Sequence, residues 1–135
     1  MQVKELQLDD WVYGIDGAGG KHPSVISAVD IYPTNKTPRI VTLGGYGYQQ
    51  EQLEPIPLTQ AILAANFGKK NNTGLYGISD DYYDFDIYEI NDGTYLARYH
   101  NCEMSSIPDE QVLVCYVHQL QHFMRHCLIE EDIRL

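Results

Sequence analysis

Cations are what this sequence has least of. Lysine and arginine number 9 against 19 aspartates and glutamates, a formal net charge of −10. Neutralising a phosphate backbone takes clustered positive charge, and the only adjacent cationic pair is Lys69-Lys70. Nucleic acid and anionic membrane surfaces are therefore disfavoured as partners, and a basic protein partner, a cation or simple solubility fits better. Cysteine is scarce and odd in number: Cys102, Cys115 and Cys127. No basic-then-apolar export signal opens the sequence, so the three read as reduced thiols of a cytoplasmic protein. No apolar run approaches the roughly 20 residues of a membrane helix, so no membrane association is expected. Catalytic punctuation is missing too. There is no Gly-x-Ser-x-Gly elbow, and no recognised cofactor motif, so no cofactor is expected.

Of the 135 residues, 44% are apolar and 21% charged, ordinary for a globular chain. A fold of this length buries roughly two-thirds of its unfolded surface and needs no staples. The reading is a single compact domain over 1–135 with two sub-lobes, 1–68 and 75–135. The unusual figure is 11 tyrosines beside 3 phenylalanines and 1 tryptophan. Tyrosine favours strands and half-wet surfaces, because one end of its ring is polar.

The first half reads as short strands: Trp11–Ile15, Val25–Tyr32 and Arg39–Leu43, the last closed by Gly44-Gly45 and followed by Tyr46-Gly47-Tyr48. In the first of these, Trp11, Tyr13 and Ile15 alternate with smaller residues. Asp16–Lys21 is a glycine-rich turn, and 34–38 a polar loop. Leu53–Leu58 carries two prolines, which remove ladder donors and confine it to an edge. Together these predict an SH3-like small β-barrel or a bent antiparallel sheet. Thr59 is placed to cap a short helix, with Gly68 just past its end and a polar loop over 69–74. In Tyr82–Ile90, Tyr83, Phe85 and Ile87 share one face and Asp84, Asp86 and Tyr88 the other, the pattern of a half-buried antiparallel strand. Asn91-Asp92-Gly93 is a hairpin turn, and 94–102 the returning strand. Another strand follows at 112–115, then a helix over 117–128, whose apolar side is Val117, Leu120, Met124, Cys127 and Leu128, and Ile133 and Leu135 add a last short strand. The fold class is α+β.

Three stretches are distinctive: Asp10-Trp11-Val12, then Leu53-Glu54-Pro55-Ile56-Pro57-Leu58-Thr59, then Tyr116-Val117-His118-Gln119-Leu120-Gln121. In that order, over most of the chain, they resemble small proteins found widely in Bacteroidales beside phage or mobile-element genes. The chain departs from them at Arg125-His126-Cys127, where their continuation is more apolar. The resemblance implies a phage or mobile-element context. It implies no activity and carries over no catalytic residue.

His118, His122 and His126 stand at i, i+4 and i+8 on the last helix, with Cys115 and Cys127 nearby, a spacing that can ligate a metal. The helical wheel sets them about 100°, 140° and 180° from Val117, away from an apolar side near 320°. An exposed polar face is therefore the expected reading and a metal site the lesser one. Gln119 stands where a His-Glu-x-x-His hydrolase needs glutamate. Asp84 and Asp86 share a strand face, read as wet, or as a pair for a cation or for acid–base work. His100 and Cys102 also share a face, without a third group to complete a nucleophile. Gly17-Ala18-Gly19-Gly20-Lys21-His22 resembles a phosphate loop, but Ile15 and His22 stand where its first glycine and its Ser/Thr belong, and it reads as a hairpin turn. Tyr46, Tyr48, Tyr82, Tyr88, Tyr95 and Tyr99 offer rings for stacking without the positive groove of a single-strand binder.

The function expected is a non-enzymatic protein-interaction module, or an acidic mimic or inhibitor, presenting Tyr46, Tyr48, Asp84, Asp86 and Tyr88. The alternatives are a small metal-dependent enzyme using the histidine stripe or Asp84 with Asp86, and a nucleic-acid-binding SH3-like barrel.

Overall fold

The computed structural model describes residues 1–31, 38–70, 74–104, 106 and 108–135. The loop expected at 34–38 lies outside them but for its last residue, as do residues 71–73 of the second loop. The fold is α+β, with two helices and two antiparallel five-stranded sheets. The chain divides into two compact units, Met1–Ile56 and Pro57–Leu135. The short helix expected to close the first sub-lobe thus belongs to the second unit.

In the first unit, β1 (Trp11–Ile15), β2 (Lys21–Ile31), β3 (Pro38–Thr42), β4 (Gly47–Gln49) and β5 (Leu53–Pro55) lie in the order β4-β3-β2-β1-β5. The bent sheet is the form they take; among the described residues no ladder joins β4 to β5. The bend has a cause in β2. Its first half pairs with β1, its second half with β3, and the register shifts between Ile26 and Ala28. A bulge of this kind sharpens local twist. Val12, Ile26, Ile40, Tyr48 and Leu53 form the core, with Met1, Leu6 and Val29 packed against it. On β1 it is the small residues, Val12 and Gly14, that are buried, while Trp11, Tyr13 and Ile15 are half-exposed. Gly14 has a steric reason: a Cβ there would overlap the phenol ring of Tyr48. Buried Asp10 accepts the backbone N–H of Gln7 at 2.8 Å and its own carbonyl accepts from Ile26 at 3.0 Å, fixing the entry to β1.

The second unit holds α1 (Gln60–Asn66), β6 (Gly68–Lys70), β7 (Leu75–Ser79), β8 (Tyr83–Asn91), β9 (Thr94–Asn101), β10 (Glu110–Val114) and α2 (Val117–His126). Its sheet is an antiparallel meander, β10-β9-β8-β7-β6. Thr59 caps α1 as expected, accepting the N–H of Ile62 at 3.2 Å. Gly68-Lys69-Lys70, expected as loop, is a strand paired with β7. Phe85 is fully buried between Phe67 and Phe123, with ring centroids 6.0 and 6.1 Å away. The tail forms no strand at Ile133. Instead the side-chain amide of Asn66 bonds both backbone groups of Arg134, at 2.7 and 2.8 Å, and Ile133 is buried beside it in sequence. The helix α2 stops two residues earlier than expected. Leu128 N–H bonds the Arg125 carbonyl and Ile129 N–H the Met124 carbonyl, the pair of bonds that closes a Schellman motif. Leu128 occupies the left-handed position of that motif (φ 59°) and is 86% exposed, so it is not part of the apolar side.

Candidate functional site

The first unit carries a groove of about 670 Å³, within the range of ligand pockets. Its walls come from two places. Trp11 and Val25 are cross-strand neighbours on β1 and β2, and Pro23 stands opposite Tyr13 two positions along. The second wall is the β3–β4 turn. Thr42 N–H bonds the Tyr46 carbonyl at 2.9 Å, Gly45 N–H bonds the Thr42 carbonyl at 3.0 Å, and Gly44 and Gly45 take φ of 100° and 84°. Only glycine adopts two such residues in a row without strain. The turn they allow presents Leu43 and Tyr46, 66% and 70% exposed. Large apolar side chains left in water at a concave surface are unusual for a lone molecule.

The charged group of the groove is Asp16. One of its oxygens accepts the N–H groups of Ala18 and Gly20 at 2.9 and 2.8 Å, and the other meets His22 Nε2 at 2.7 Å. Those bonds, His22 first and then the two backbone groups, hold its pKa below the ordinary carboxyl value. The carboxylate thus clamps the 16–20 turn and keeps its negative charge at the rim. The expected turn joins β1 to β2 over residues 16–20, so the segment is a hairpin, not a phosphate loop.

Of the tyrosines proposed as a docking face, Tyr46 stands at the groove. Tyr48 does not serve as an exposed ring: it is 8% exposed, and only part of it borders the groove from the core. Tyr95 is buried, and burial followed by the nearby Glu89 pushes its pKa up to about 12. Tyr99 stacks on Tyr83 at 5.6 Å, and Tyr82 is exposed.

Asp84, Asp86 and Tyr88 lie on one face of the second sheet, as the alternation required, but the face is not a row of solvated carboxylates. Lys70 Nζ reaches Asp86 at 2.7 Å and Asp84 at 3.5 Å, and Arg98 Nη2 reaches Asp86 at 3.2 Å. Side chains of Lys70 and Asp86 are only 18% and 13% exposed. Asp84 also accepts from Ser79 Oγ at 2.5 Å and Cys102 Sγ at 3.8 Å. Ser79 first lowers its pKa, with Lys70 and Cys102 assisting against burial. Tyr88 is half-buried and borders a shallow depression with Leu75 and Ile90.

The histidine stripe does not stand in water as one face. His118 is buried, its ring 6.0 Å from that of Tyr116 and 5.6 Å from that of His122. His122 is intermediate. His126 is exposed and meets Glu110 Oε2 at 3.0 Å. The helix is buried on more than half its circumference: Val117, His118, Leu120, Gln121, Phe123 and Met124 span an arc of about 220° at 100° per residue. Cys127 is buried and donates to Glu110 at 3.7 Å; burial, then Glu110, pushes its thiol up to about 12. His100 bonds Asp109 at 2.5 Å and Cys102 bonds Asp84, so those two do not form a pair. Lost hydration and Asp84 raise the Cys102 thiol as well. Among the described residues, no three His, Cys, Asp or Glu side chains are placed to hold one metal ion.

The groove was legible in sequence at Tyr46 and, in part, at Tyr48. The signal for the rest was the Gly44-Gly45 pair between apolar residues, which marks a turn that exposes its neighbours. Among the described residues, no helix is long and apolar enough to cross a membrane. No protein-family model, curated protein or solved structure matches the chain.

Proposed function

We propose that the protein is a non-enzymatic interaction module whose binding face is the groove of the first unit. The observation that carries this reading is the concave apolar surface of Trp11, Pro23, Val25, Leu43 and Tyr46, with ionised Asp16 at its rim. Its occupant is a protein segment with an apolar anchor for the aromatic wall and a lysine or arginine for Asp16. Aromatic anchors supply contact area at low entropic cost, and the chain's charge of −10 favours a basic partner over nucleic acid. The resemblance to Bacteroidales phage and mobile-element proteins makes the partner a host or phage protein. The three free cysteines are in keeping with a reducing, cytoplasmic setting.

The interaction reading is favoured over an acidic mimic of nucleic acid because Asp84 and Asp86 are ion-paired rather than arrayed toward solvent. The test is affinity capture from host lysate with the whole chain, read by mass spectrometry beside Trp11→Ala and Tyr46→Ala. A basic partner held by the parent chain and lost from both variants is the expected result. A partner retained equally by both variants, or none above background, would end the reading.

A further inference from the structure

The two sheets present four edges, and three of them are protected. β4 and β5 are three residues each, and β5 ends in Pro55. β6 is three residues, two of them lysine. Shortness, proline and lysine are the devices by which proteins keep sheet edges from pairing with other chains. β10 has none of them. It runs five residues, Glu110-Gln111-Val112-Leu113-Val114, and all but Val114 are exposed, Leu113 to 58% and Val112 to 36%. Among the described residues its backbone ladder is with β9 alone. At its start the Glu110 side chain meets His126 and Cys127, and beyond its end Leu58 N–H bonds the Cys115 carbonyl at 2.8 Å and Pro57 bridges Tyr116.

From this contrast we infer that β10 accepts an extended segment of a partner protein as a sixth strand of the second sheet. The chemistry of the occupant follows from its surroundings. Leu113 is paired with Leu96 and Leu96 with Tyr88, an apolar row across three strands. An added strand continues that row by placing an aliphatic or aromatic side chain beside Leu113. At the other end stand Asp109 and Glu110, both partly exposed, each bonded to a histidine. The incoming segment therefore alternates apolar and polar residues and carries lysine or arginine at the end that meets these carboxylates. A second copy of this chain fits worse. Antiparallel self-pairing about Val112 sets Gln111 of each copy against Leu113 of the other, breaks the apolar row, and joins two chains of charge −10. Main-chain hydrogen bonds supply the affinity and the alternate side chains the selectivity. The residues of this surface all belong to the second unit, and binding there does not rest on the groove reading.

The probe is a fluorescein-labelled peptide, Val-Thr-Ile-Thr-Val-Lys-Lys, whose lysines come to Asp109 and Glu110 when it pairs antiparallel like the other strands of the sheet, titrated by anisotropy against the whole chain. Beside it goes the same peptide with its two lysines replaced by glutamate. Saturation should slow amide hydrogen exchange at residues 110–114. Val112→Lys and Leu113→Lys alter exposed side chains, so their circular dichroism and Tm should match the parent. Each should weaken the probe by about tenfold or more, as should the glutamate peptide. Leu43→Lys, in the groove, should leave the probe's affinity unchanged. The inference is overturned by unprotected β10 amides, by parental affinity in both lysine variants, or by a concentration-dependent dimer that protects the same amides without peptide.

Discussion

The two units handle acidic side chains in opposite ways. In the first, Asp16 spends its hydrogen bonds on its own turn and on His22, and its charge stays at the rim of an apolar groove. In the second, Asp84 and Asp86 are drawn into a network with Lys70, Arg98 and Ser79 that spans β6 to β9. The same residue type thus stays at the rim of a groove in one place and knits a sheet in the other. Asp16 sits in a turn whose own N–H groups reach it, whereas Asp84 and Asp86 lie within a strand, where cations from neighbouring strands arrive on the same face.

The largest expected effect tests the core of the second unit. Phe85→Ala removes a fully buried ring held between two others, and should cost about 3–5 kcal/mol in denaturant melts. Amide exchange over residues 1–56 provides the reference within the same sample. Gly14→Ala is the corresponding test in the first unit. A methyl group there must displace Tyr48, for a loss of about 1–3 kcal/mol, with altered chemical shifts at Tyr48 and at the groove. A parental melt for this variant would show that Tyr48 is not held where the structure has it. Asp86→Ala strips Lys70 and Arg98 of their shared partner and should cost about 1–3 kcal/mol, more than any change at exposed Asp16. Equal effects at the two positions would erase the contrast between them.

Leu128→Gly should go the other way. A leucine in the left-handed region costs roughly 1 kcal/mol that glycine does not, so Tm should rise by a few degrees. The smallest effect is the pH dependence of the Asp16 clamp. Its folded pKa lies below the ordinary 3.8, so the clamp's contribution is complete above that ordinary value and is lost as pH falls through the lowered one. Carboxyl chemical shifts of Asp16, followed on acidification together with exchange at Gly20, report the transition. A clamp that opened on raising the pH would contradict the assignment.

Much of the fold follows from local patterns that anyone can read. Thr59 caps α1, Asn91-Asp92-Gly93 makes a hairpin, and the alternation around Phe85 places each side chain on the right face. What was illegible depended on distant partners. Gly68-Lys69-Lys70 has no apolar alternation and is a strand because β7 pairs with it. His118 was placed in water by a wheel that assumed a helix buried along one stripe, whereas α2 is enclosed over a wide arc. On β1 the alternation of large and small residues does not say which set faces the core. The core takes Val12 and leaves Gly14 bare for Tyr48, which no reading confined to β1 would supply. At the site, Tyr46 was visible as an aromatic beside glycines, but its union with Trp11 and Pro23 required the sheet to bend.

That union leaves the chain with a built-in optical reporter. Its single indole, Trp11, forms part of the groove wall. An occupant that excludes water from that wall will shift the emission toward the blue, so occupancy can be followed on unlabelled protein.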